Sequence, residues 1–378
     1  MTPDQRDRLD TAVAAFRDRQ FGRAADGLRQ LASELAPTDM PWELLANAEA
    51  ATGDRAAAMS ALDRRLALDI RSVPALLLKA QLLEQDGDSG GATSHYQAAL
   101  NQNAVSGGCP EQLRPLLEHG QAYIGKSQQR YAEYLRDTIG KPPSPRLAMA
   151  LDLMAGKREV FLQQPSVFYF PELPQRQFYE PAEFPWLEPM LALVPRMQAE
   201  LEAVENAAGA ADFTPYVKAE PNRPAPNNPL LDDPAWGAFY FWRGGERVAA
   251  NADRCPATMA ALELAPMPRI DARSPVSLWS RLLPGAHIRP HHGMLNTRLI
   301  CHIPIRTAPG CTLRVGNEVR EWRDGVPLVF DDSIEHEARN DGDRSRTVLL
   351  FEIWRPEIAP DEREALARLF ATIAAYNE

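Results

Sequence analysis

Residues 289–302 read RPHHGMLNTRLICH and hold three of the chain's seven histidines. Imidazoles this close together can ligate a metal, bind an anion or hydrogen-bond within a core. His336, in FDDSIEHEARN, follows His291 by 45 residues with several strand-like runs between them. Two imidazoles on adjacent strands of a small barrel are what a non-haem iron site of the two-histidine type needs, with positions left open for a cosubstrate and dioxygen. The usual third ligand is an acid two residues after the first histidine, and here that position is Gly293. Alternation along TRLICHIPI puts Arg298, Ile300 and His302 on one face, with Leu299, Cys301 and Ile303 on the other. In RTVLLFEIW, Arg346, Val348 and Leu350 share a face. A cavity lined by arginine and histidine attracts a dicarboxylate, because the guanidinium fork matches a carboxylate plane. The competing assignment for any one strand histidine is a hydrogen-bonded structural residue, and His95, His119, His287 and His292 are expected in surface or local hydrogen-bonding roles.

A β-rich frame must position these groups. Beyond Pro275 the runs VSLWSRLL, TRLICHIPI, CTLRV, EVREW, PLVFD and RTVLLFEIW are separated by Gly, Pro, Asp and Asn. Such a series predicts an antiparallel barrel or jelly roll whose interior can hold a small ligand. A final helix is expected from an N-cap at Asp361, with Leu366, Leu369, Phe370 and Ile373 on one face against the barrel.

The front of the chain follows a different rule. Ala12, Ala46 and Ala80 recur every 34 residues, as do Ala24, Ala58 and Ala92, and Leu28, Leu62 and Tyr96. Small residues twelve apart suit pairs of helices that cross closely, with Gly53 and Gly87 at turns. This pattern resembles the tetratricopeptide repeat over roughly residues 7–104. Such an array presents a concave surface suited to a peptide or to self-association. The stretch FYFPELPQRQFYEPAEFPWLEP is too rich in proline for one helix and marks the start of a second domain. The predicted architecture is α+β: helical repeats over 1–105, a helical extension and linker over 106–164, and a double-stranded β-helix of the jelly-roll or cupin kind over 165–378.

A net charge of −10 argues against a phosphate-backbone partner, so nucleic acid is set aside. The N-terminus carries charges where a signal peptide needs an apolar core, no membrane segment is evident, and a cytoplasmic location is expected. Cys109, Cys255, Cys301 and Cys311 lack C-x-x-C spacing and are expected as free thiols.

SRLLPGAHIRPHHGMLNTRLICHIPI, LRVGNEVREW and VFDDSIEHEARNDGDRSRTVLLFEIWRPEI resemble the aspartyl/asparaginyl β-hydroxylase family of iron(II)- and 2-oxoglutarate-dependent oxygenases, over about residues 168–358. The resemblance implies His291 and His336 as metal ligands and Gly293 as the vacant third position. A missing carboxylate leaves room for water on the metal, which Asp331 or Asp332 would steer, the alternative for Asp332 being a turn residue that bonds its own backbone. It implies Ser280, His302 and Arg346 as holders of 2-oxoglutarate, and Fe(II), 2-oxoglutarate and dioxygen as the cofactor set. The implied reaction hydroxylates an unactivated carbon, foremost an Asp- or Asn-type residue of a peptide or protein. The alternatives are a small amino-acid-derived or lipid substrate, halogenation at the vacant position, and a non-catalytic repeat scaffold. One departure stands out: where the family strand reads R-x-R-x-H, this chain keeps Arg298 as a substrate contact but has Ile300 in place of the second arginine.

Overall fold

Alanine spacing decides the first unit. In the computed structural model, which describes residues 1–108, 110–208, 213–219, 224–225 and 227–376, the chain divides into two units, Met1–Arg158 and Glu159–Glu378. The first is entirely helical: α1 (Pro3–Arg17), α2 (Phe21–Glu34), α3 (Trp42–Thr52), α4 (Arg55–Leu68), α5 (Val73–Gln85), α6 (Ser89–Val105), α7 (Arg114–Ile139) and α8 (Pro145–Met154). Ala24, Ala46, Ala58, Ala80 and Ala92 are completely buried where consecutive helices cross, as are Leu28, Leu62 and Tyr96. Each buried leucine contributes about 1.5–3 kcal/mol, which holds helices that would be marginal alone. Asp54, Ser72 and Asp88 cap the starts of α4, α5 and α6 through their side-chain oxygens. Gly53 and Gly87 close the preceding helices at φ +90° and +79°, as turn residues in the left-handed region do. The helical repeat is thus present as expected, and α7 extends the stack with Gly120 against Tyr96.

The second unit is a jelly roll with helices on one side. Its strands are β1 (Phe178–Tyr179), β2 (Thr214–Pro215), β3 (Trp236–Arg243), β4 (Glu246–Arg247), β5 (Ser277–Leu282), β6 (His287–His291), β7 (Arg298–Arg306), β8 (Cys311–Val315), β9 (Glu318–Glu321), β10 (Leu328–Phe330), β11 (His336–Asn340) and β12 (Arg346–Trp354). The larger sheet runs β1-β10-β7-β12-β5-β3-β2, with β4 on β3, and the smaller runs β6-β11-β8-β9. Between them lies an apolar layer that includes Leu282, Ile300, Phe330 and Val348 from one sheet and Ile288, Leu313 and Ala338 from the other.

Strands β7 and β12 are buried on both faces, and the reason lies in the helices. Leu187–Leu191 (α9), Val194–Ala208 (α10) and Pro256–Glu263 (α12, after the short α11 at Ala249–Ala252) pack against Leu299, Cys301, Ile303, Leu349 and Phe351. The alternation in TRLICHIPI therefore separates a ligand-facing side from a helix-facing side, with little of the strand left to solvent. The last helix, α13 (Pro360–Tyr376), starts one residue before the expected cap at Asp361. Glu362 accepts from the Ala359 N–H at that end. Leu366 and Phe370 are buried as expected, whereas Leu369 and Ile373 are exposed. Cys255, Cys301 and Cys311 are buried free thiols, and Cys109 lies outside the described residues. Among the described residues no helix is long and apolar enough to cross a membrane.

Candidate active site

A cavity of about 280 Å³ opens between the two sheets of the jelly roll. His291, Arg298, His302, Asp332, His336, Arg346 and Ser280 all line it, so the residues singled out in the sequence converge on one place. His292 lines it as well, where a surface role was expected. Local hydrogen bonds do account for His95 on Gly91 O, His119 on Glu84 and His287 on Glu337.

His291 ends β6 and His336 begins β11, and the two residues are direct cross-strand partners. Their ring centroids are 4.1 Å apart at 47°. In each ring Nδ1 bonds the carbonyl two residues earlier, Arg289 O at 2.8 Å and Ile334 O at 3.1 Å. That places the proton on Nδ1 and the lone pair on Nε2, the nitrogen a metal takes. Burial lowers both imidazole pKa values, that of His336 to about 3 with help from His291, so both rings are neutral near pH 7.

No third ligand joins them. Among the described residues no group of three or more His, Cys, Asp and Glu side chains is arranged to hold a metal ion. The nearby acid, Asp332, crowds Gly293 and accepts from Arg298 Nη2 at 3.2 Å. Its Oδ1 is buried without a partner. Burial, only partly offset by Arg298, raises the Asp332 carboxyl to about 6. Two neutral imidazoles opposite a glycine fit a ferrous ion that keeps open positions.

The deep end of the cavity is cationic. Arg346 is 1% exposed, donates to Ser280 O at 3.2 Å and stacks its guanidinium 4.3 Å over the Trp322 ring. Among the described residues no acid pairs with it, its Nε lacks a partner, and burial pushes its pKa down to about 10. A buried cation without a counter-ion is costly, so this end is built for an anionic ligand. Trp322 Nε1 donates to His302 Nδ1 at 3.3 Å, which leaves the His302 proton on Nε2. Ser280 Oγ accepts from Trp236 Nε1 at 3.2 Å and keeps its own proton to donate. Trp322, which orients both Arg346 and His302, was not anticipated from the sequence; its place at the end of EVREW beside an arginine-bearing strand is the only local signal.

Arg298 is placed differently. Its Nη1 bonds Glu352 and its Nη2 bonds Asp332. Burial opposes its charge, but the two carboxylates raise its pKa above the ordinary arginine range. Arg298, expected as a substrate contact, is thus held in salt bridges to two acids of the cavity wall. Glu352 lies on the β12 face that carries Arg346 and Leu350, so extending the same alternation by one step would have found it.

An extended strap holds the rim of the site. Gln164 N donates to Ser333 O at 2.7 Å and Ser166 N to Gly293 O at 3.0 Å, while Val167 N and Phe168 N share Met294 O. Gln163, 5% exposed, donates to Asp331 Oδ2 at 2.7 Å and accepts from Asn296 Nδ2 at 3.0 Å. Asp331 also receives Arg355 Nη1 at 2.7 Å. The loop bearing Gly293 and the loop bearing Asp332 are thereby tied to one side chain.

Residues 193–356 match the family model described as aspartyl/asparaginyl beta-hydroxylase. The Homo sapiens protein named aspartyl/asparaginyl beta-hydroxylase is 34% identical over 132 residues, 35% of this chain and 17% of that protein. Aspartate beta-hydroxylase domain-containing protein 2 of Mus musculus is 30% identical over 219 residues, covering 56% of this chain and 60% of the relative. The chain thus spans less than two thirds of each of these curated relatives. Among solved structures, the Sgt2 TPR domain from Aspergillus fumigatus overlaps 38% of this chain and 87% of its own at 17% identity and TM-score 0.29. A Cupin 2 conserved barrel domain protein from Salinispora arenicola overlaps 41% and 98% at 16% identity and TM-score 0.23.

Proposed function

We propose, from the match of residues 193–356 to the aspartyl/asparaginyl β-hydroxylase family model, that this chain is an iron(II)- and 2-oxoglutarate-dependent oxygenase. It hydroxylates an unactivated carbon of a peptide- or protein-borne residue of the Asp/Asn type. The observation that carries this reading is Arg346, buried without an acid partner in the same cavity as the paired imidazoles of His291 and His336.

His291 and His336 would hold the iron through Nε2. The chemistry a ferrous ion supplies there is activation of dioxygen, coupled to decarboxylation of 2-oxoglutarate to succinate. Arg346 binds the distal carboxylate of 2-oxoglutarate with its guanidinium, and the Ser280 hydroxyl and His302 Nε2–H donate to the same ligand. Trp322 holds both Arg346 and His302 in place, so the cosubstrate is oriented by groups that do not reorganise. The apolar walls of Ile288, Leu313, Phe330 and Ala338 exclude water from the reacting region. The helical repeats, with their concave surface, are proposed to take a polypeptide partner.

Anaerobic titration with Fe(II) and 2-oxoglutarate tests this. A visible charge-transfer band is expected in the wild type and is lost in His291→Ala. In Arg346→Ala the 2-oxoglutarate requirement rises about 10- to 100-fold, as follows from losing a charge-assisted bidentate contact. A non-catalytic scaffold gives no band and no succinate, and full succinate formation in His291→Ala removes the iron assignment.

A further inference from the structure

We propose that the substrate group bound beside Arg298 is a hydrogen-bond donor without negative charge, a carboxamide or an ammonium, and that Glu352 turns carboxylates away. This rests on the oxygenase reading above and narrows it.

The two arginines of the cavity are in opposite electrostatic states. Among the described residues Arg346 has no acid partner, whereas Arg298 already has two. Arg298, Asp332 and Glu352 together carry one positive and two negative formal charges. Glu352 is 1% exposed, and its other oxygen accepts from Val276 N at 3.1 Å. A substrate carboxylate could reach the Arg298 fork only by displacing Glu352 or Asp332, which would leave a buried acid without its cation. Removing one member of a buried pair in this way is strongly unfavourable.

Ile300, two residues along the same face of β7, is apolar and 7% exposed. Arg273 stacks 4.6 Å over Phe370 and does not line the cavity, although it lies near enough to Glu352 and Arg298 to interact with both charges. The cavity wall also carries an aromatic plate, Tyr216 stacked on Trp236 at 4.0 Å and 13°, with Val217 and Val276, and Asn228 and His292 as further polar lining. Asp332 Oδ1, buried without a partner, supplies the acceptor that a donor group needs. Selection here is by exclusion as much as attraction: a carboxylate finds the Arg298 fork already occupied by two acids, and a donor meets an unused acceptor.

The test uses the full chain loaded with Fe(II) and 2-oxoglutarate without oxygen, and the N-acetyl amides of asparagine, lysine and aspartate as probes. Calorimetry is expected to show the asparagine or lysine probe binding at least about tenfold more tightly than the aspartate probe. Glu352→Gln, which releases Arg298, is expected to erase or invert that preference. Ile300→Arg, which places a second cation directly across the strand pair from Glu352, should also admit the aspartate probe. Tightest binding of the aspartate probe to the wild type overturns the proposal, as does failure of both donor probes to bind. So does an unchanged preference in both variants. The charge-transfer band is read in the same samples, so its absence counts against the oxygenase reading while the order of probe binding counts for or against the pocket.

Discussion

Asp332 stands where a side chain on Gly293 would have to go: a β-carbon built on Gly293 falls 2.2 Å from Asp332 Oδ2 and 2.4 Å from its Cγ. The vacancy two residues after His291 is therefore filled from another loop, by an acid that Arg298 holds. Glycine at this point is a packing requirement as well as a missing ligand.

It follows that restoring a carboxylate at position 293 does not build a three-ligand site. Gly293→Asp and Gly293→Ala are each expected to displace Asp332 from Arg298 and to destabilise the fold by about 1–3 kcal/mol through overpacking. Combining Gly293→Ala with Asp332→Ala should recover part of that loss. Thermal melts of the single and double variants check the coupling, and strictly additive effects would contradict the crowding.

Gln163 offers a second test, because it lies outside the segment matched by the family model yet binds both loops of the site. Gln163→Ala leaves Asp331 and Asn296 each short of a partner in a buried setting, a loss of about 1–3 kcal/mol. Weaker Fe(II) binding is expected alongside the lower melting temperature. Unchanged iron affinity in a variant whose melting temperature has fallen would show that the strap stabilises the fold without setting the geometry of the histidines.

The third prediction concerns acid. Burial lowers the pKa of His291 and His336, and it holds His302 well below the ordinary imidazole value together with Arg346 and His336. The folded protein keeps these rings neutral while the unfolded chain protonates them below about 6.5. The unfolded state then binds more protons, so stability is full above that value and falls as the pH drops towards the folded-state values. Each ring held neutral contributes a slope of up to about 1.4 kcal/mol per pH unit in that window, less for His291, whose side chain is partly open to solvent. Chemical denaturation of the metal-free protein between pH 7.5 and 5 measures this, and a flat profile would mean that the rings titrate normally.

Local periodicity made much of the molecule legible. The series Ala12, Ala46, Ala80 and Leu28, Leu62, Tyr96 marks positions that the close crossing of neighbouring helices must bury, and the structure buries them. Period-2 alternation put Arg298, Ile300 and His302 on one face because a strand leaves no other choice. Yet HIRPH and HEARN, the segments that carry both histidines, were not among the runs read as strands. Histidine, proline, arginine and glutamate have little strand propensity of their own, and these residues are extended because β8 and each other's edges supply the hydrogen bonds.

What the sequence determined by itself is therefore the repeat, the jelly-roll class and seven of the residues that meet in the cavity, Ser280, His291, Arg298, His302, Asp332, His336 and Arg346. The tertiary structure alone decided their electrostatic state. Arg346 is bare, while Arg298 is bound by Asp332 and Glu352, residues 34 and 54 positions away along the chain. Gln163 reaches Asp331 across 168 positions. Charge pairing depends on distance in space, which no spacing along one strand encodes, and a buried arginine attracts an anion or ignores it according to whether an acid from elsewhere has already arrived.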